Sequence, residues 1–519
     1  MQPAARPDEP ALDEPWLSFL LRYALPGMLA TCLIAVGAFG VGWLPLTTDL
    51  VDNPAVDVLR TSGPGTLLSR VMVVVGVAML LQSWLVVGYD LLTGPRQDVR
   101  RLTAVLAAWC APLVLVPPLF SRDVYSYYVQ GKLMVGGLDP YSAGVAQVPG
   151  WFSDGVDPMW GEAPTPYGPA FLLVERGVAR FVGDDAYLGG LVFRLVAVAG
   201  VALLAYYLPR LAFAGGIDPG KALWLGVLNP LVIMHFVAGA HNDALMVALL
   251  VAGLALAAEG RAPAGVVLVT CAAAVKPIAL IALPFVGLLW AGTRASWRHR
   301  ILAWAKTVAV STGVFAGLML VAGVGLGWIG ALTTPGSVRT WLSPSTSLGM
   351  LGGDLLSTIG LTETNDGAVT VVRLLGIAAA VVILVRLAVR PAGRTAVRGA
   401  ALALLTVALL GPALQPWYLL WALPLFAASG LRPRELRATI ALTACFVIFG
   451  IAETSATADS LLDLSDGVSI VAAVVVVILV VLASPRERAL ILGESFAAGL
   501  LPEDRPAQAR QQRLVIRSA

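Results

Sequence analysis

Charge is what this chain has least of. Asp, Glu, Lys and Arg make up 13% of its 519 residues, against about 25% in a soluble domain. Hydrophobic residues make up 58%. A soluble globular protein is therefore excluded and a polytopic membrane protein is expected. The net charge is only +3 and no basic patch has a nucleic-acid pattern, so no nucleic-acid partner is expected. Cysteine is equally sparse. Cys32, Cys110, Cys271 and Cys445 all fall inside apolar runs; their spacing suits neither a metal site nor a disulfide framework, and they read as small packing residues. Walker A and nucleophile-elbow motifs are absent, which argues against a cytoplasmic ATP-driven mechanism. Gly325-Leu326-Gly327-Trp328-Ile329-Gly330 fits G-x-G-x-x-G in form, but it lies in a membrane run with no preceding strand and is rejected as a nucleotide site.

What is present is a succession of apolar runs. They fall near 23–44, 67–92, 102–120, 187–213, 222–237, 243–258, 263–275, 277–293, 301–330, 368–389, 397–412, 416–430, 437–452 and 467–483. An all-α bundle of about 12–14 transmembrane helices is expected, forming one membrane domain over 20–485. Residues 1–19 are Pro-rich and acidic, unlike a signal-peptide n-region. They are expected to be a disordered cytoplasmic N-terminus ahead of an uncleaved anchor, with 486–519 a cytoplasmic tail. The segment 168–183 carries Glu175, Arg176 and Arg180, is too charged for lipid, and is placed as an amphipathic or re-entrant helix. If the N-terminus is cytoplasmic, the Arg clusters at 96–101, 294–300, 386–398, 432–437 and 486–488 all fall inside, as the positive-inside rule requires. The loops 121–186 and 331–367 then lie at the outer face of the plasma membrane.

That parity brings scattered polar residues to one surface. Asp123 sits where the 102–120 run ends, close to Tyr125, Tyr127 and Tyr128 and followed by Trp151 and Trp160. A lone carboxylate among aromatics can hold a sugar and take a proton from its hydroxyl; an interfacial aromatic belt with a helix-capping Asp is the alternative. Asp139-Pro140-Tyr141 reads as a turn, and Tyr167 marks re-entry to the membrane. His241-Asn242-Asp243 heads a helix, where a cap needs one such residue and not three. Lys276-Pro277, Arg194 and Arg373 put cations near hydrocarbon, which calls for pairing, snorkelling or an anionic lipid headgroup. Gln415-Pro416-Trp417-Tyr418 suits either sugar stacking or the belt.

These elements together carry a resemblance. Phe120-Ser121-Arg122-Asp123-Val124-Tyr125-Ser126-Tyr127 with Gly131, Asp139-Pro140-Tyr141 and Pro166-Tyr167-Gly168-Pro169 is similar to the outer-loop motif of GT-C glycosyltransferases. With Gly239 to Asp243, Lys276-Pro277 and Gln415 to Tyr418, the region from about 100 to 450 resembles the actinobacterial polyprenyl-phosphomannose-dependent α-1,6-mannosyltransferases of lipomannan and lipoarabinomannan assembly (the MptA/MptB group). The resemblance implies a GT-C fold whose outer-face loops carry short amphipathic helices. It implies a polyprenyl-phosphate-mannose donor, a phosphatidylinositol-anchored mannan acceptor, and transfer among membrane lipids at the outer face. A β-linked donor giving an α-linked product implies inversion in one displacement, with Asp123 as base. Arg122, Tyr125, Lys132, Tyr141, Tyr167, Arg194, His241, Asn242, Asp243, Lys276, Gln415, Trp417 and Tyr418 are the expected substrate-binding residues. Ser121 and Arg122 stand where the wider superfamily often has a second acid. No metal or other cofactor is therefore expected, and the departing phosphate is left to Lys276, Arg122 or Arg194. The same motifs leave open a related transferase of arabinose or another hexose. A sugar or lipid transporter is disfavoured, because it should place coupling residues at the bilayer midplane in repeated halves.

Overall fold

The computed structural model describes residues 14–455 apart from 293, 294, 338, 362 and 391–394, together with Leu500. The expected span 467–483, the tail 486–519 and the Arg cluster 486–488 lie outside these residues. The described chain is helical, its one β feature being an isolated bridge between Leu431 and Leu500. Among the described residues five helices are long and apolar enough to cross a bilayer: Trp16–Val41, Gly63–Thr93, Ala186–Gly215, Trp297–Ala322 and Asp366–Val389. The first begins at Trp16, within the stretch expected to be a disordered N-terminus. Several start on a side-chain cap. Ser62 accepts from Gly65 N–H, Asp185 from Leu188 N–H and Ser296 from His299 N–H, satisfying amides that a helix start leaves unpaired.

The other apolar runs are shorter or broken, and proline is the usual cause. The expected span 102–120 is not one helix. Helix Val99–Cys110 gives way at Ala111–Leu113 to a 3₁₀ turn containing Pro112, and Pro117-Pro118 keep the chain irregular up to the next helix, Asp123–Val135. Proline has no N–H to donate and drives the residue before it out of the α region. The same rule acts twice more. Lys276 (φ −141°, ψ 116°) and Gln415 (φ −118°, ψ 155°) both precede proline and are both extended. Each leads into a six-residue 3₁₀ turn, Pro277–Ala282 or Pro416–Trp421, and then a short helix, Leu283–Ala291 or Leu423–Ser429. The run 222–237 is also divided, into helix Pro219–Gly226 and π-helix Val232–Ala238. The latter meets helix Asp243–Ala258 at a bend of 115°.

Packing brings these breaks together. Trp84 and Trp224 stack at 5.1 Å, and each indole N–H donates to the other's carbonyl at 3.1 and 2.9 Å. This locks the Gly63–Thr93 helix to Pro219–Gly226. The segment 168–183 forms helix Pro169–Val182, but Glu175 faces inward and is fully buried. Arg176 from the same helix donates to the Val321 and Ala322 carbonyls at the end of Trp297–Ala322. By contrast, Asp366–Val389 buries little of itself in the protein, as a lipid-facing helix should.

Candidate active site

A cavity of about 670 Å³ opens where the broken segments meet. Asp123 lies in its wall at the first position of helix Asp123–Val135, its amide held by Ser121 Oγ at 3.1 Å. Its Oδ1 accepts from Trp160 Nε1 at 3.1 Å, and its Oδ2 lies 3.7 Å from His241 Nδ1. Burial is the main cause that lifts the Asp123 carboxyl to about 6. The Trp160 bond and the Lys276 charge pull the other way, while Asp157 and Asp243 add to the rise. Arg122 pairs with Asp157 at 3.1 Å and lies over the Trp43 ring at 4.4 Å, all three lining the cavity.

The second wall comes from Lys276, backed by the bend at 239–242. Lys276 Nζ donates to both oxygens of Asp243, at 2.9 and 2.8 Å. Asp243 is fully buried and takes a further bond from Trp421 Nε1 at 2.6 Å. Lys276 keeps 15% of its side chain exposed on the cavity. It sits over three rings, 6.0 Å from Tyr167, 5.2 Å from Tyr418 and 5.5 Å from Trp421. The turn at Tyr167 is brought here by the Gly168 amide, which donates to Val275 O at 3.0 Å. A Cβ on Gly168 would collide with the Ala274 carbonyl, so this approach requires glycine. Trp417 stacks on His241 at 3.9 Å, and Tyr418 on Trp421 at 4.0 Å. Gln415 completes that wall, and its Oε1 has no hydrogen-bond partner among the described residues.

Of the expected site residues, Arg122, Asp123, Tyr167, Lys276, Gln415, Trp417 and Tyr418 line this cavity. His241, Asn242 and Asp243 lie behind it, and the other four are engaged elsewhere. Tyr125 is buried and donates to the Trp43 carbonyl at 2.8 Å. Lys132 bridges Asp154 and Asp184, each at 3.2 Å. Tyr141 donates to Tyr167 O at 2.9 Å, so the Asp139-Pro140-Tyr141 turn braces the Tyr167 loop. Arg194 is 1% exposed and is not positioned to meet a phosphate. It donates to the carbonyls of Val114 and Val116 on one side, and of Val237 and Ala238 on the other. It thus staples the segment leading to Asp123 onto the segment leading to His241. Arg373 donates to the Gly336 carbonyl and to Thr346 Oγ1.

Sequence inspection missed Trp43, Asp157 and Trp421 as lining residues. Trp421 follows Trp417 by one turn, a spacing visible in the sequence; Asp157 carries no local signal. Among the described residues no group of three or more His, Cys, Asp or Glu is placed to hold a metal ion.

Residues 24–292 match the family described as α-(1→6)-mannopyranosyltransferase, N-terminal domain, and residues 345–483 match its MptB C-terminal domain. α-(1→6)-Mannopyranosyltransferase A of Mycobacterium tuberculosis is 37% identical over 438 residues, covering 82% of this chain and 83% of the relative. α-(1→6)-Mannopyranosyltransferase B of Corynebacterium glutamicum is 30% identical over 459 residues, covering 82% of this chain and 76% of the relative. Both parts of the chain contribute to the cavity described above, and over most of its length the chain belongs to the MptA/MptB family of glycosyltransferases.

Proposed function

We propose that this cavity is where mannose passes from a polyprenyl-phosphate-mannose donor to a growing, phosphatidylinositol-anchored α-1,6-mannan, at the outer face of the plasma membrane. The observation that carries this is a partly exposed carboxylate, Asp123, not paired to a Lys or Arg as Asp157 is to Arg122, in a cavity whose wall also presents Arg122 and Lys276. The apolar part of the same wall, Ile278, Leu280, Ile281, Leu332 and Val407, suits a prenyl chain. The relatives are named for α-(1→6) mannosyl transfer, and the Arg clusters on the opposite loops support cytoplasmic termini.

In the proposed step an acceptor hydroxyl oxygen attacks the anomeric carbon. The C–O bond to the donor phosphate breaks with its electron pair, and the hydroxyl proton passes to Asp123. One displacement inverts a β-linked donor to an α-linked product and needs one base. Arg122 and Lys276 face the oxygens on which charge develops. A lining that runs from Trp43 to Trp421 supports reading 20–485 as one membrane unit.

The test is mannose transfer in membranes supplied with radiolabelled polyprenyl-phosphomannose and an α-1,6-mannoside acceptor. Asp123→Asn keeps size and polarity but removes the base, and should lower kcat by about 10²–10⁴-fold. With the Asp123 carboxyl raised to about 6, wild-type kcat should fall as pH drops through that value, because the base must be ionised. Near-normal turnover by Asp123→Asn in inserted protein would move the base elsewhere.

A further inference from the structure

Asp123 and His241 come from separate segments, and both are delivered by strained backbone. Phe120 (φ 65°) and Ala240 (φ 54°) are the only non-glycine residues with positive φ among the described residues. One stands three residues before Asp123, the other directly before His241. Such conformations are costly for residues with a Cβ and persist only where the surroundings enforce them. Here the surroundings are specific. Leu119 N–H donates to Ala238 O at 3.2 Å, and Arg194 binds carbonyls of both segments. A Cβ on Gly239 would press on Leu119 O at 3.2 Å and His241 Cδ2 at 3.1 Å.

The ring so delivered is fully buried and fixed in plane against Trp417 at 3.9 Å. Neither of its nitrogens has a hydrogen-bond partner among the described residues, yet Nδ1 is 3.7 Å from Asp123 Oδ2. A buried imidazole with both nitrogens unsatisfied is costly as mere packing, and catalytic contacts commonly tighten as the reaction complex forms. Trp160 already holds the other oxygen, Oδ1.

We propose that His241 is the positioning residue of the base, donating from Nδ1–H to Asp123 Oδ2 so that the carboxylate plane is fixed between His241 and Trp160. This rests on Asp123 being the base. The bond favours the ionised carboxylate, so its loss raises the pH at which Asp123 ionises. Other groups acting on Asp123 are the acids Asp157 and Asp243 and the cation Lys276. Arg122 is bound to Asp157, and the phenols of Tyr127, Tyr167 and Tyr418 face the two carboxylates. None of these is altered by the variants below.

The experiment compares His241→Phe, His241→Asn and His241→Gln in the membrane transfer assay across pH. Phe keeps the ring stacked on Trp417 without nitrogens, Asn puts an N–H near the place of Nδ1, and Gln puts one near Nε2. His241→Phe should lower kcat about 10- to 100-fold, the range of one hydrogen bond to a charged group, with donor KM little changed. Its acidic limb should move upward from that of the wild type. His241→Asn should recover more activity than His241→Gln. Wild-type kcat and limb in His241→Phe would overturn the proposal. So would an unmoved limb, equal loss in the Asn and Gln variants, or better recovery by Gln. A wild-type-like Asp123→Asn would instead overturn the assignment of the base itself, so the two failures are separable.

Discussion

The buried Lys276–Asp243 pair makes a sharp demand on stability. Asp243 has no exposure, and among the described residues its charge is met by Lys276 and the Trp421 N–H. Lys276→Met removes the charge and leaves a buried carboxylate with one neutral donor. Breaking such a pair from one side costs about 3–5 kcal/mol, because the orphaned charge has lost water without compensation. Asp243→Asn should cost less, about 1–3 kcal/mol. The amide oxygen still accepts from Trp421, and Lys276 keeps its 15% exposure and three ring faces. The double variant should be far more stable than the sum of the singles predicts, because replacing a buried pair as a unit is often nearly neutral. The assay is equilibrium unfolding of purified protein in mixed micelles of mild detergent and dodecyl sulfate, followed by tryptophan fluorescence. Single effects that add within about 0.5 kcal/mol would refute the coupling. The same proteins separate structure from chemistry. On the proposed reaction the double variant regains its fold but not its transfer activity, since Lys276 faces the cavity; recovery of both would make Lys276 purely structural.

Two further outcomes follow from particular side chains. Glu175 is buried without a partner for either oxygen among the described residues, and burial holds its carboxyl well above its ordinary value of 4.5. The folded protein therefore binds a proton that the unfolded chain releases above that value, so stability falls as pH rises beyond it. Glu175→Gln should be as stable as wild type near pH 4.5 and more stable at pH 8; thermal unfolding at the two pH values checks this, and a variant less stable at pH 8 would contradict it. Gly168→Ala forces a methyl against the Ala274 carbonyl. It should cost about 1–3 kcal/mol in the same unfolding assay and reduce transfer by moving Tyr167 away from Lys276, whereas Gly177→Ala, which meets nothing, should be near neutral.

The membrane class and much of the site were legible because hydrocarbon makes polar residues conspicuous. Lys276, Gln415, Trp417 and Tyr418 stood out at the ends of apolar runs, and two of the four precede a proline that breaks its run in the structure. What hydropathy does not register is hydrogen bonding. It read 102–120 as one span, although Pro112, Pro117 and Pro118 remove the donors a helix there would need. It also suggested Arg194 as a phosphate ligand, because an arginine near lipid wants an anion. Four carbonyls, two from the irregular segment 114–116 and two from the end of the π-helix at 237–238, satisfy it instead, and no local pattern encodes that arrangement. Tyr125 and Tyr141 illustrate the same limit, since their hydroxyls donate to backbone carbonyls, of Trp43 and Tyr167. Parity alone placed Asp123, Tyr167, Lys276 and Gln415 to Tyr418 at one face; which residues reach the cavity depended on breaks and staples.

The pairing of both cations bears on how the proposed step is accelerated. Lys276 is neutralised by Asp243 and Arg122 by Asp157, so neither presents a free positive charge to the donor's phosphodiester at the outset. As the bond to the sugar breaks, the leaving phosphate gains about one further negative charge, and each cation then has a second anion within reach of its remaining N–H donors. An interaction that grows during the step raises kcat, whereas one already complete in the bound donor lowers KM and leaves the barrier unchanged. The carboxylate partners thus keep the cations aimed at the cavity while limiting how tightly substrate and product phosphates are held. On the proposed reaction, which would release a lipid phosphate into the membrane that supplied the donor, that restraint favours turnover over retention.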